Sequence, residues 1–170
     1  MRISKAFEHG VCVLLILGSQ RGHTPLTSDT LSTLLRVSDS SLKKTLRRLT
    51  VAGLIVSTPG KDGGYTLARP LSTMSLADVF AACEGEPTVK TPSSALAERI
   101  FPDARHVRQV ETLIGQTIDD ASQAFTRRLA KVSLDRMLKT EAVHEGSVDW
   151  EDKAATTAVS RADTTDDDVQ

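Results

Sequence analysis

A run of basic residues in the first third of the chain is the part of the sequence best suited to chemistry. Between Asp39 and Asp62 there are five Lys or Arg residues and no acidic residue. Serine hydroxyls precede the run, and the backbone N–H groups at the start of a helix can bind anions. Lysine and arginine in the following turns can neutralise phosphates or donate to guanine. The pattern predicts contact with double-stranded DNA, through Ser38, Ser40, Ser41, Lys43, Lys44 and Arg47, with Arg48 beside them.

A solvated surface is the alternative explanation for such a basic stretch. Ordinary surface helices mix both signs of charge, whereas this stretch carries one sign. Residues 1–70 have a net charge of +6 and residues 71–170 a net charge of −7. That division favours a DNA-binding head on an acidic body, although chance clustering would give the same totals.

Three predicted helices would position the basic stretch. Residues 4–17 have apolar residues at helical spacing, and Gly18 follows them. Thr27 or Ser28 can cap a short second helix, and we include both hydroxyls among the DNA contacts. Residues 38–51 form the third helix, with Gly53 at its end. Its buried face consists of Leu42, Leu46 and Leu49.

A β-hairpin is predicted directly after the third helix. Residues 54–58 and 65–68 have strand composition, and the six residues between them are rich in glycine. Lys61 adds a charge at the tip, while Gly63 and Gly64 would let the backbone approach a phosphate. Ser75 caps a further short helix. Helix, turn, helix and hairpin together predict a mainly α winged helix-turn-helix fold with a small β wing.

A long apolar stripe follows and predicts a dimerisation helix. The stripe is about 30 residues long, whereas globular helices average about 11–12, so a partner chain would be needed to cover it. The expected interface comprises Val107, Val110, Ile114, Ile118, Ala121 and Phe125. The predicted organisation is therefore a DNA-binding domain (1–85), a linker (86–103), the long helix (104–139) and an acidic, disordered tail (140–170).

Composition restricts the remaining possibilities. The longest apolar run, residues 11–17, is shorter than the roughly 20 residues that cross a membrane, and no signal-peptide cleavage site follows it. Two cysteines, Cys12 and Cys83, are too few for a disulfide framework. A cytoplasmic, reduced protein is expected. The four histidines lack metal-ligand spacing, so no metal or other cofactor is expected.

The hairpin and the segment after it carry a specific pattern: Gly63, Gly64, Tyr65, Thr66, Leu67, Ala68, Arg69 and Pro70, then Ser75, Leu76, Ala77, Asp78 and Val79, and then Glu84 and Gly85. On these residues the sequence resembles the Rrf2 family of bacterial transcription regulators, over residues 1 to about 139. The resemblance implies a homodimer that presents two recognition helices to a palindromic operator. It also implies that Ser40, Lys43 and Lys44 contact bases while the wing lies at the minor groove. We expect the regulator to act as a repressor.

The sequence departs from the family in its sensing residues. Iron–sulfur members carry three cysteines before the long helix, but residues 84–106 contain none, so a cluster is not expected. Cys12 and Cys83 are candidate redox thiols, although packing is the more ordinary role of a buried cysteine. An unknown small-molecule effector is the other candidate signal.

Two other classes of protein compete with a DNA-binding regulator. Pro59 and Asp62 replace residues usual in the family's wing, so an interaction module that has lost operator binding is the alternative function. An enzyme is not predicted, because no nucleophile elbow, zinc motif, paired-acid signature or dinucleotide fingerprint occurs.

Overall fold

The computed structural model describes residues 3–85, 95–101, 103–138, 144 and 146–165. Most of the predicted linker and the start of the predicted tail lie outside these residues. Within them, no helix is both long and apolar enough to span a bilayer. The elements are α1 (Lys5–Ser19), α2 (Ser28–Leu35), α3 (Asp39–Val51), β1 (Ile55–Thr58), β2 (Gly64–Leu67), α4 (Leu76–Glu84), α5 (Ala95–Ile100), α6 (Ala104–Ala130) and α7 (Trp150–Thr165).

Side-chain caps explain where several helices begin. Thr27 accepts a hydrogen bond from the Thr30 backbone N–H at the start of α2. Ser75 and Asp78 form a reciprocal capping box at the start of α4. Ser38 occupies the same position before α3, but its side chain accepts no capping hydrogen bond. The residue type predicts Ser38 as the cap of α3. The position is correct, but the expected capping hydrogen bond does not form.

Helices α1 to α4 and the hairpin are here called the head, and its core forms around α3. Leu42, Leu46 and Leu49 are fully buried, and α3 packs against α1, α2, α4 and β1. The three leucines lie at four- and three-residue spacing, so they form one stripe along the helix. Burial of this stripe turns the polar face of α3 outward.

The hairpin pairs Ile55 with Leu67 and Thr58 with Gly64 in an antiparallel register. It is also tied to the connection before α2, because Leu26 and Tyr65 exchange backbone hydrogen bonds of 3.1 and 2.8 Å. The wing is therefore held by the start of the helix-turn-helix as well as by its own pairing. This confirms a predominantly helical fold with a small β wing.

The long helix is shorter than predicted. α6 ends at Ala130, and a 3-10 turn (Leu134–Met137) follows instead of a continuous helix to residue 139. The chain reverses because its next segment docks on the head. Leu134 is fully buried, its N–H bonds to the Met74 carbonyl at 2.9 Å, and the Leu76 N–H bonds to the Val132 carbonyl.

Three aromatic rings attach α6 to the head. The ring of Phe80 on α4 lies edge-to-face with Phe7 of α1, with centroids 6.0 Å apart. It makes a second such contact with Phe125 of α6, at 5.1 Å. Edge-to-face pairs add to the stabilisation from burial alone. The contact fixes the end of α6 that carries Phe125, and α6 extends away from it toward Ala104.

Two helices occupy segments in which none was predicted. α5 lies within the expected linker and packs against α6, and its alanine- and leucine-containing sequence has high helix propensity. α7 occupies residues 150–165, where disorder was expected, and it packs against α2. That expectation of disorder is wrong for α7, because Val148, Trp150 and Ala154 bury surface against the head.

The buried stripe of α3 yields a stability prediction. Leu46→Ala should lower the free energy of unfolding by about 2–5 kcal/mol, because it removes a fully buried side chain and leaves a cavity. Val51→Ala on the same helix is the matched control. Val51 is 83% exposed, so its loss should change stability by less than about 0.5 kcal/mol. Urea unfolding followed by circular dichroism measures both, and equal effects would contradict the assigned orientation of α3.

Candidate nucleic-acid interface

The outer face of α3 carries the predicted DNA-contacting side chains. All six lie in or just before the helix and are exposed to solvent; they are Ser38, Ser40, Ser41, Lys43, Lys44 and Arg47. Because Leu42, Leu46 and Leu49 hold the opposite face in the core, these groups form a continuous polar surface. It can donate both to phosphates and to base edges.

Lys43 is paired within the helix. Its Nζ lies 2.7 Å from the Asp39 carboxylate, one helical turn away. The hydrogen bond from Lys43 lowers the pKa of Asp39, and the same bond raises the pKa of Lys43. A DNA phosphate would therefore compete with Asp39 for this ammonium group. The i, i+4 spacing of Asp39 and Lys43 is the signal in the sequence from which this pair can be predicted.

Arg48 links α3 to α4 by a side-chain hydrogen bond. Its guanidinium donates to the Cys83 carbonyl at 2.7 Å, near the last turn of α4, where carbonyls lack helical partners. Arg48 remains exposed beside Arg47, and this hydrogen bond engages part of its guanidinium group. Nothing in the local spacing could reveal an acceptor 35 residues away in the sequence.

The start of α2 lies beside the start of α3. The Thr27 hydroxyl is exposed and caps α2, so its oxygen is engaged by the Thr30 N–H. Ser28 is half-buried and hydrogen-bonds to Asp39, which contributes to lowering the pKa of that carboxyl. The structure therefore brings Thr27 and Ser28 close to the first turn of α3.

The glycines of the wing are required by internal packing. A Cβ on Gly64 would lie 2.7 Å from the Leu26 carbonyl oxygen, and one on Gly63 would lie 2.8 Å from the Pro59 carbonyl carbon. Neither residue has positive φ, which among the wing glycines occurs only at Gly60. Packing within the folded chain is sufficient to explain both glycines, and their approach to DNA stays a prediction. Lys61 is exposed at the tip, as predicted.

Both candidate redox thiols have raised pKa values. Burial raises the pKa of Cys83 to about 11, and Gly10 faces its sulfur closely enough that a Cβ there would lie 2.9 Å away. Burial, with a contribution from Glu8, also raises the pKa of Cys12. A redox-sensing cysteine needs a lowered pKa and access to solvent, so these environments favour packing roles for both thiols.

The predicted dimer-interface residues fall into two groups on α6. Val110 and Ile114 are exposed, as are Ala121 and the unpredicted Leu113. Val107 is buried within the chain, Ile118 is half-buried, and Phe125 contacts Phe80. Val110, Leu113 and Ile114 therefore lie in the half of α6 that extends away from the head, whereas Ala121 lies in the half next to Phe125.

Residues 3–140 match the Rrf2 family, which is described as an iron-dependent transcriptional regulator. The chain is 35% identical over 137 residues to the HTH-type transcriptional regulator YwgB of Bacillus subtilis, a match that covers 81% of this chain and 86% of YwgB. It is 34% identical over 134 residues to the HTH-type transcriptional regulator YffB of Lactococcus lactis, covering 79% and 85% of the two chains.

Solved structures share the fold. CymR, the global cysteine regulator of B. subtilis, superposes with a TM-score of 0.57 at 20% identity, covering 81% of this chain and 95% of CymR. IscR of T. potens superposes with a TM-score of 0.57 at 21% identity, covering 84% and 90%.

The residues of this chain do not fit the iron of the family description. An iron–sulfur cluster needs several thiolates together, and the chain has two cysteines, both in the head. In the described ranges, no group of three or more His, Cys, Asp or Glu side chains could hold a metal ion. No step of the proposed function below therefore depends on iron.

The raised pKa values predict slow thiol chemistry. At about pH 7.5 a thiol of pKa about 11 is ionised in roughly one molecule in three thousand. Ellman's reagent should therefore label Cys83 far more slowly than free cysteine, and this buried thiol should react fully only in concentrated guanidinium. Cys12→Ser isolates the Cys83 signal. Rapid peroxide oxidation of either thiol, accompanied by a change in DNA binding, would contradict the packing roles.

Proposed function

The chain belongs to the Rrf2 family of transcriptional regulators, and we propose that this DNA-binding regulator acts as a homodimeric repressor on a palindromic operator. Two α3 helices, one from each protomer, would enter successive major grooves. A protein of this function works beside the chromosome, so we place it in the cytoplasm. The outward orientation of the polar α3 face is the observation that carries the proposal.

Lys44 and Arg47 supply the free charge of that face. Both are exposed, and neither has an ion pair with another described side chain. Lys43 adds a third charge when a DNA phosphate or base displaces the Asp39 carboxylate from its ammonium group. Lys61 lies on the wing, where its charge would bind a phosphate whatever the sequence. Base contacts then come from α3, and the wing and the start of α2 hold the register on the backbone.

The exposed half of α6 supports the homodimer. A helix of 27 residues is about 40 Å long, and the head covers the part near Phe125. Val110, Leu113 and Ile114 remain 40%, 64% and 43% exposed. Grouped apolar side chains of this kind mark surfaces that bind another protein. We assign them to contact with the same helix of a second copy.

We also propose a small-molecule effector as the signal, because neither the thiols nor a metal site is suited to sensing. Arg105, Arg108 and Leu113 line a shallow, open groove on the surface of α6. Leu113 belongs both to this groove and to the proposed interface. A ligand there would act on the dimer, and through it on the spacing of the two α3 helices.

Enrichment of fragmented genomic DNA on the purified protein would test the function and identify the operator. A true operator should bind more tightly than random DNA, and log Kd should vary with log salt with a slope of about 0.9 per phosphate contact. If no genomic fragment competes better than random DNA, the interaction-module alternative replaces the proposal.

Substitutions should separate base contacts from phosphate contacts. Lys44→Ala should cost about 1–3 kcal/mol of operator binding, as expected for a lost base contact. Lys61→Ala should weaken all sequences equally and lower the salt slope by about one contact. Arg105→Ala is the control, because Arg105 lies about 30 Å along α6 from Phe125. Fluorescence anisotropy with labelled duplexes measures each Kd. Unchanged binding in both Lys variants would refute the docking geometry.

A charge in the middle of the exposed apolar group should separate the protomers. Ile114→Asp should shift the chain to monomer in sedimentation velocity, because the interface would have to bury a carboxylate. Thr112→Asp adds the same charge at an exposed position about 200° around the helix from both Val110 and Ile114, and it should leave the dimer intact. An intact dimer in the Ile114 variant would overturn the assignment.

A further inference from the structure

The segment that follows the 3-10 turn returns to the head and pairs with the end of α1. Val148 donates its N–H to the Ser19 carbonyl at 2.9 Å and accepts from the Arg21 N–H at 2.7 Å. Together these bonds form a parallel bridge between Gln20 and Val148. Gly146 adds a bond to the Gly18 carbonyl at 3.1 Å. This segment lies beyond residues 3–140, the part of the chain that matches the family.

Trp150 supplies partners to two buried polar side chains. Its backbone N–H donates to Gln20 Oε1 at 3.0 Å, and its indole N–H donates to Ser19 Oγ at 2.9 Å. Ser19 is 1% exposed and Gln20 2% exposed. Buried polar groups that lose their partners are costly. Trp150 is thus part of the hydrogen-bonding that keeps this end of α1 in place.

The same contacts continue to the start of α2. The Gln20 amide, held by Trp150 through its oxygen, donates to Thr24 Oγ1 at 2.8 Å. Two residues later Leu26 pairs with Tyr65 of the wing, and Thr27 then caps α2. α7 itself packs along α2. The connection before α2 is therefore held by the wing on one side and by the C-terminal segment on the other.

We propose that residues 146–158, here called the clasp, hold the start of α2 in the position that docks on DNA, with Trp150 as the positioning residue. This inference rests on the proposed function, in which Thr27 and Ser28 contact the phosphate backbone. The clasp is a poor DNA ligand itself, because Glu151 and Asp152 are exposed in the first turn of α7 and would repel phosphates. Its contribution to affinity is exerted through α2.

The sign of the effect separates positioning from simple charge repulsion. If the acidic clasp acted mainly by repelling DNA, weakening its attachment would tighten binding. If it positions α2, weakening it loosens binding, although acidic groups have moved away. Trp150→Phe is the informative variant, because it keeps an aromatic ring and the net charge but removes the bond to Ser19. Glu151→Gln, an exposed neighbour on the same helix, is the matched control.

The experiment uses the full chain and a short random-sequence duplex, since phosphate contacts at α2 do not depend on sequence. Trp150→Phe should weaken duplex binding about tenfold, the effect of losing one hydrogen bond to a charged group. The salt slope should fall by about 0.9. In the absence of DNA, amide hydrogens of α2 should exchange faster in Trp150→Phe than in the unmodified chain, and those of α3 should exchange at the same rate. Circular dichroism confirms that the variant is folded, and Trp150→Ala should show the same pattern more strongly.

The outcomes separate the clasp from the function on which it rests. If the unmodified chain fails to bind the duplex even at low salt, the proposed function fails. If it binds, but folded Trp150→Phe keeps the same Kd and slope, the clasp only stabilises the fold and the inference is overturned. Tighter binding by Trp150→Phe, or unchanged exchange in α2, would overturn it as well.

Discussion

The complete burial of Leu42, Leu46 and Leu49 is the constraint on which the candidate interface depends. These side chains fix the rotation of α3 about its own axis, because turning the helix would move three leucines into water at about 1.5–3 kcal/mol each. Most of the polar residues between them must therefore face solvent. A surface that can bind phosphates thus results from an apolar requirement.

Internal contacts of the head restrict what that surface can offer. The Asp39 carboxylate pairs with Lys43, and Arg48 donates a hydrogen bond to the end of α4. Gly63 and Gly64 leave space for neighbouring backbone within the wing and at Leu26. Lys44 and Arg47 are left as the least committed cations of α3. Family membership accounts for a DNA-binding regulator, whereas these local contacts decide which side chains are free to serve it.

Two long-range attachments complete the head. The ring contact between Phe80 and Phe125 fixes one end of α6, so the exposed apolar group lies well away from the DNA-binding surface. Trp150 fixes the opposite side of the head by donating hydrogen bonds to the side chains of Ser19 and Gln20. The orientation of α2 and of α6 is therefore set by residues outside the helix-turn-helix, and each attachment offers a route by which a distant event could alter DNA binding.

The sequence by itself determined the elements whose cause is local. Helical spacing of leucines, caps such as Thr27 and Ser75, and the glycine-rich turn are short-range signals, and they predicted the helix-turn-helix, the wing and the outer face of α3. Tertiary structure alone decided the partners that are distant in sequence. Trp150 meets Gln20 across 130 positions, Arg48 meets Cys83 across 35, and α6 ends at Ala130 because Leu134 is buried in the head. Periodicity records which face of a helix is apolar, but the burial and hydrogen bonding that choose its neighbour exist only after the chain has folded.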